Sequence, residues 1–116
     1  MPARSKKTAR PPAQAESKQT RAERELESID RVFKALAHAS RRHILIVIEA
    51  NGGRITAGRI ADRFEHSWPT ISRHLGILQE SGLVSIEAIG RERHYVIDKS
   101  ILFGVARSWF DYFDST

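Results

Sequence analysis

Leu26, Ile29, Phe33 and Leu36 recur at intervals of three and four residues, the spacing that gathers apolar side chains on one face of an α-helix. An amphipathic helix is therefore predicted from about Thr20, with Glu23, Glu25, Glu27, Arg31 and Lys34 on its polar side. Ser40 is a favourable N-cap for a second helix, which runs through Ile44-Leu45-Ile46-Val47-Ile48 until Asn51-Gly52-Gly53 stops it. Apolar on nearly all sides after His43, that helix belongs at the centre of the fold. Arg54-Ile55-Thr56 is short but can pair as a brief strand, and Thr56 can then cap a third helix whose inward stripe is Ile60, Ala61 and Phe64.

His66 and Ser67 form a short turn, and a fourth helix is placed from Ser67 to Ser81. Ser67 can cap it, and Trp68 and Pro69 fall in the first turn, where a missing proline N–H does no harm. Ile71, Leu75 and Leu78 supply its inward face, and Gly82 ends it. Residues 83–89 alternate between apolar and polar or small side chains, Gly90-Arg91 turns the chain, and residues 92–97 alternate again, which predicts a β-hairpin. Asp98 or Ser100 can cap a last helix with a broad apolar stripe at Ile101, Leu102, Val105, Trp109, Phe110 and Phe113. The fold class is mainly α with a small β-hairpin (α+β). Helix, short turn, helix and hairpin in that order are the plan of a winged helix-turn-helix, here with about five helices and a two- to three-stranded wing.

In that plan the second helix of the pair enters the DNA major groove with its N-terminal turns. Core packing takes Ile71, Leu75 and Leu78, which leaves Ser67, Thr70, Ser72, Arg73 and His74 to face phosphates and base edges. Helix N-terminal N–H groups favour phosphate, and an Arg can hold guanine O6 and N7 together.

Charge changes this picture less than its total suggests. The 116 residues carry a formal +5, but five basic residues against one acidic put +4 of it in residues 1–20. From Arg21 onward there are 14 basic and 13 acidic residues, so DNA binding must rest on where particular side chains sit. Residues 1–18 are rich in Pro, Ala, Ser, Lys and Gln and read as a disordered basic arm. It is either a further DNA contact or a solubilising tail. Residues 19–116 then form one winged-helix DNA-binding and dimerisation domain. The absence of Cys excludes disulfides, thiolate metal sites and cysteine redox chemistry. With no apolar run of roughly 18 residues and no apolar segment after the basic N-terminus, a cytoplasmic protein without membrane contact is expected.

VFKALAHASRRHILIVI, then ITAGRIADRF, SWPTISRHLGILQESGLV and GRERHYVI resemble the ArsR-type winged-helix transcriptional regulators, in order and spacing, over residues 29–97. The stretch 67–84 is the most specific, close to the family's Ser-x-Pro-Thr-Val-Ser-Arg-His-Leu…Leu…Gly-Leu-Val pattern. The resemblance implies a homodimeric repressor that binds operator DNA. By position it puts Ser67, Thr70, Ser72, Arg73 and His74 on DNA and makes Arg91 and Arg93 at the hairpin tip wing contacts. It also implies a dimer held by the first and last helices, here through Leu26, Ile29, Phe33, Ile101, Leu102, Val105, Trp109, Phe110 and Phe113. The last three bury most simply against the first helix, but so large a stripe on a small chain leaves part exposed unless a second copy covers it. Two recognition helices related by a two-fold axis imply an inverted-repeat operator.

Many family members release DNA on binding metal, and there the chain departs from the pattern. TAGRIA stands where thiolate sensors carry a Cys pair, and the last helix has Asp98, Asp111 and Asp114 but no His. No metal site and no cofactor are expected; an effector ligand or partner protein, if there is one, is not identified. Three local assignments stay open. Arg41 and Arg42 either reach phosphate or pair with Asp or Glu; His94 either touches DNA from the wing or packs in its strand; Trp68 either covers apolar surface or lies on the sugar-phosphate backbone. A protein-interaction module with weak or lost DNA binding is the rival function, supported by the near-neutral folded part. An enzyme is not expected, since no Gly-x-Ser-x-Gly elbow, phosphate loop or paired metal motif is present.

Overall fold

A computed structural model describes residues 19–114; the arm expected over residues 1–18 lies outside them. The order is α1 (Arg21–Leu36), α2 (Ala39–Ala50), β1 (Arg54–Thr56), α3 (Ala57–Arg63), α4 (Trp68–Glu80), β2 (Val84–Ile89), β3 (Glu92–Ile97) and α5 (Lys99–Asp111). Five helices and a three-stranded antiparallel sheet of order β1-β3-β2 make up the described residues. They bear out the mainly helical class.

α1 begins with a capping box, in which Thr20 Oγ1 accepts from Glu23 N–H at 3.0 Å and the Glu23 carboxylate accepts from Thr20 N–H at 2.8 Å. Its inward stripe is Ile29, Val32 and Ala35, which are fully buried, while Leu26 and Phe33 emerge on a second, exposed flank. α2 opens earlier than its sequence suggests. His38, not Ser40, is the N-cap, and its Nδ1 accepts from Ser40 N–H at 3.1 Å. Ile44, Leu45, Val47 and Ile48 make α2 the central helix, although Ile46 points outward, 65% exposed. Thr56 caps α3 as expected.

The brief β1 pairs with β3, and a row of Ile55, Tyr95 and Ile86 crosses the sheet in register, packing on the core. Gly82, at φ +84°, carries the chain out of α4 in the left-handed region. Gly90 opens the two-residue hairpin turn at φ +63° while Arg91 stays at negative φ, the order of a type II′ turn. The core joins Val32 and Ala35 of α1, the buried side of α2, Ile55, Ile60, the α4 stripe, Leu83, Val84 and Tyr95. Asp98 caps α5 through Ser100 and Ile101 N–H groups, and hydrogen bonding by the Ser100 hydroxyl first, then by those N–H groups, holds its carboxyl below the usual aspartate value.

Of the three α5 aromatics, expected to bury against α1 with part of the stripe left exposed, Trp109 packs on α1 while Phe110 and Phe113 are the exposed part. No α5 residue is fully buried: Trp109 meets Phe33 edge-on with ring centres 5.6 Å apart, but Phe110 and Phe113 are 66% and 69% exposed. The geometric reason is that Ile101 and Val105 already occupy the side of α5 packed on the core, so Phe110 falls roughly half a turn away. Among the described residues no helix is long and apolar enough to cross a membrane.

Candidate nucleic-acid interface

The helix-turn-helix pair is α3 and α4, joined by residues 64–67. Ile71, Leu75 and Leu78 are each at most 1% exposed, so one side of α4 is fixed against the core. Ser67 stands at the N-cap but makes no capping bond; its Oγ is 3.1 Å from Thr70 Oγ1 instead. The first-turn N–H groups of α4 therefore lack a side-chain acceptor from the cap, which suits an incoming anion. Ser67, Ser72 and Arg73 are exposed and Thr70 is half-buried. Arg73 makes no hydrogen bond or ion pair with any described residue. Trp68 at the first helical position is 42% exposed.

His74 departs from the expectation that it faces outward with Arg73. It is only 8% exposed, and its Nδ1 lies 3.1 Å from Arg41 Nη1. Guanidinium groups only donate, so this nitrogen accepts and the ring is neutral with its proton on Nε2. Loss of surrounding solvent first, then the nearby His38, Arg41, His66 and Arg73, hold its pKa below the ordinary 6.5.

Arg41 follows neither of its expected alternatives. It is buried, with Nε donating to Ala35 O at 2.7 Å and Nη2 to Lys34 O at 2.9 Å. Arg42 Nη1 donates to Leu36 O at 2.7 Å. The two arginines at the start of α2 thus satisfy carbonyls at the end of α1, where a positive charge also meets the negative end of the helix dipole.

At the hairpin, Arg91 and Arg93 are exposed and unpaired among the described residues. His94 is half-buried in β3, with Nε2 3.3 Å from Glu92 Oε1 and a buried Nδ1 that has no partner among the described residues. Across the sheet Arg54 and Glu87 form an exposed ion pair at 3.1 Å. Among the described residues no group of three or more His, Cys, Asp and Glu converges as a metal would require.

The residues expected at a dimer interface divide in the same way. Leu26, Phe33, Phe110 and Phe113 are exposed, and Trp109 is half-buried, its ring against Phe33 and Phe113. Ile29, by contrast, is buried within the protomer, because α1 turns it inward beside Val32. Ile101, Leu102 and Val105 are half-buried against the protomer's own core.

Comparison with known proteins bears on this arrangement. Residues 39–93, from α2 into the hairpin, match the MarR family. The chain is 38% identical over 74 residues to the transcriptional repressor SdpR of Bacillus subtilis, covering 64% of this chain and 80% of that protein. It is similar in structure to an ArsR-like transcriptional regulator from Rhodococcus sp. RHA1, with TM-score 0.68, 31% identity and coverage of 75% of this chain and 80% of that one. It is also similar to the homodimeric winged helix-turn-helix DNA-binding domain of a possible ArsR-family regulator from Mycobacterium bovis, with TM-score 0.60, 29% identity and coverage of 74% and 81%.

Proposed function

We propose, from the premise that this chain belongs to the ArsR-type winged helix-turn-helix transcriptional regulators, that it is a homodimeric repressor reading an inverted-repeat operator. One observation carries the reading: α4 buries Ile71, Leu75 and Leu78 in the core and leaves an exposed Arg73, unpaired among the described residues, near hydroxyls at its N-terminal end. Ser67 and Thr70 are assigned to phosphate, Ser72 and Arg73 to base edges, and Arg91 and Arg93 to the backbone beside the wing. A base-reading Arg contributes about 1–3 kcal/mol of discrimination. His74 is assigned no DNA contact.

The dimer is assigned to the exposed flank of α1 with Trp109, Phe110 and Phe113 of α5. The homodimeric Mycobacterium relative supports a dimer, and the repressor SdpR supports repression. A two-fold axis then sets half-sites about one helical turn apart, or a multiple of it. The +4 carried by residues 1–20 adds phosphate contacts common to all sequences. DNA and a second copy of the chain are the partners, within a unit spanning residues 19–116.

Selection of fragments from the source genome by purified protein, at near-physiological salt and without added ligand, tests the reading. Enrichment of an inverted repeat is the expected result. No enrichment by folded, dimeric protein would contradict it and favour the interaction module. A salt titration separates the two, because phosphate contacts make affinity fall steeply with salt and an apolar protein interface barely responds.

A further inference from the structure

The corner where α1, α2 and α4 meet is tied together by the hydrogen bonds of one buried arginine. Arg41 spans it: two of its nitrogens hold the carbonyls of Lys34 and Ala35 at the end of α1, and the third reaches His74, the residue after Arg73. Its guanidinium is planar and rigid, so the three bonds fix the α1 terminus and the α4 ring relative to one another. His38 closes the corner, its ring centre 4.6 Å from that of His74 and its own Nδ1 occupied by Ser40 N–H. α1 carries part of the exposed apolar flank assigned to the dimer; α4 carries the side chains assigned to DNA.

We propose that Arg41 is a positioning residue for DNA reading, which holds the N-terminal half of α4 in register with α1 through a neutral His74. The inference rests on the DNA-reading role assigned to α4. Its consequence is a defined sensitivity to acid. The groups that act on His74 are His38 from the start of α2, Arg41 from α2, His66 from the turn before α4 and Arg73 from α4 itself. Each is cationic or becomes so on protonation. A proton on Nδ1 replaces the acceptor that Arg41 uses with a second donor and adds a charge beside the guanidinium. The bond is lost, and α4 is released from α1 at the position adjoining Arg73.

Two substitutions separate positioning from mere packing. His74→Gln keeps a side-chain oxygen able to accept from Arg41 but cannot take up a proton; His74→Leu fills the space with no acceptor. Affinity for a genomic fragment enriched by the wild type is measured for all three proteins at about pH 7.5 and about pH 5, alongside their melting temperatures. At the higher pH the Gln variant is expected to bind like the wild type and the Leu variant at least about fivefold more weakly. On acidification the wild type is expected to lose at least about fivefold more affinity than the Gln variant. His66 and Arg73 are common to both proteins, so their own effects on DNA binding cancel in that comparison. If the Leu variant does not fold, the pH comparison between wild type and Gln decides alone.

A Gln variant as acid-sensitive as the wild type, or a folded Leu variant that binds as tightly, overturns the inference while leaving DNA reading intact. A folded wild type that enriches no fragment at the higher pH overturns the DNA-reading role, and this inference with it.

Discussion

α4 and α5 are each 13 residues long, and each carries an apolar stripe, yet they stand in opposite relation to the protomer. α4 buries Ile71, Leu75 and Leu78 almost completely and presents outward hydroxyls, a part-exposed Trp68 and an arginine unpaired among the described residues. α5 buries no residue fully and presents Phe103, Phe110 and Phe113. Where a helix has satisfied its apolar side, what remains free is mostly polar and suits a charged polymer. Where it has not, the remaining surface gains by leaving water, at about 25 cal/mol per Å² of apolar area covered. The contrast predicts which partner each helix takes.

The largest effect expected from breaking this contrast is on α4's buried side. Leu78→Ala removes a fully buried side chain and is expected to cost about 2–5 kcal/mol of stability, read from denaturant unfolding of wild type and variant. The paired change Phe110→Ser with Phe113→Ser should do the reverse on α5, leaving the protomer folded while weakening dimerisation by at least about a hundredfold, since interface aromatics dominate such energies. Sedimentation over a concentration series checks it. Arg73→Ala should weaken specific binding by at least about tenfold with little change in melting temperature, because Arg73 has no described partner to lose. Removing residues 1–18 should weaken binding to all DNA and flatten its salt dependence.

The smallest expected effects concern pH. The His74 pKa is lowered in the folded protein, so below about pH 6.5 the unfolded chain binds more protons than the folded one and stability falls with acidification. Asp98 is shifted down as well. Its contribution is complete above its unfolded value and is lost as pH falls through the folded one. Asp98→Ala is therefore expected to lower the melting temperature by a few degrees at neutral pH and to differ less from wild type in acid.

Most of the fold was legible because its stripes are regular: Ile71, Leu75 and Leu78 lie inward as their spacing demands, and the two alternating segments around Gly90 pair in register. The burial of His74 was legible in the same spacing. Ile71, His74, Leu75 and Leu78 stand at i, i+3, i+4 and i+7, so the ring belongs on the buried stripe despite its polarity. Its partner Arg41, 33 residues earlier, was not legible, because only tertiary packing brings α2 beside α4. The role of Arg41 and Arg42 had a weaker signal: α1 must leave its last carbonyls unpaired, and basic residues soon after a helix end are candidates to satisfy them. α5 marks the limit of the same signal. Aromatic spacing shows which side of a helix is apolar, but not whether the same protomer covers it.

The most direct test of the account is a hydroxyl-radical footprint of wild type and Arg73→Ala on one enriched genomic fragment. The account predicts two protected half-sites related by two-fold symmetry, about one helical turn apart or a multiple of it, both lost in the variant at protein concentrations that saturate the wild type. A single asymmetric footprint, or a symmetric one that Arg73→Ala leaves unchanged, would contradict it.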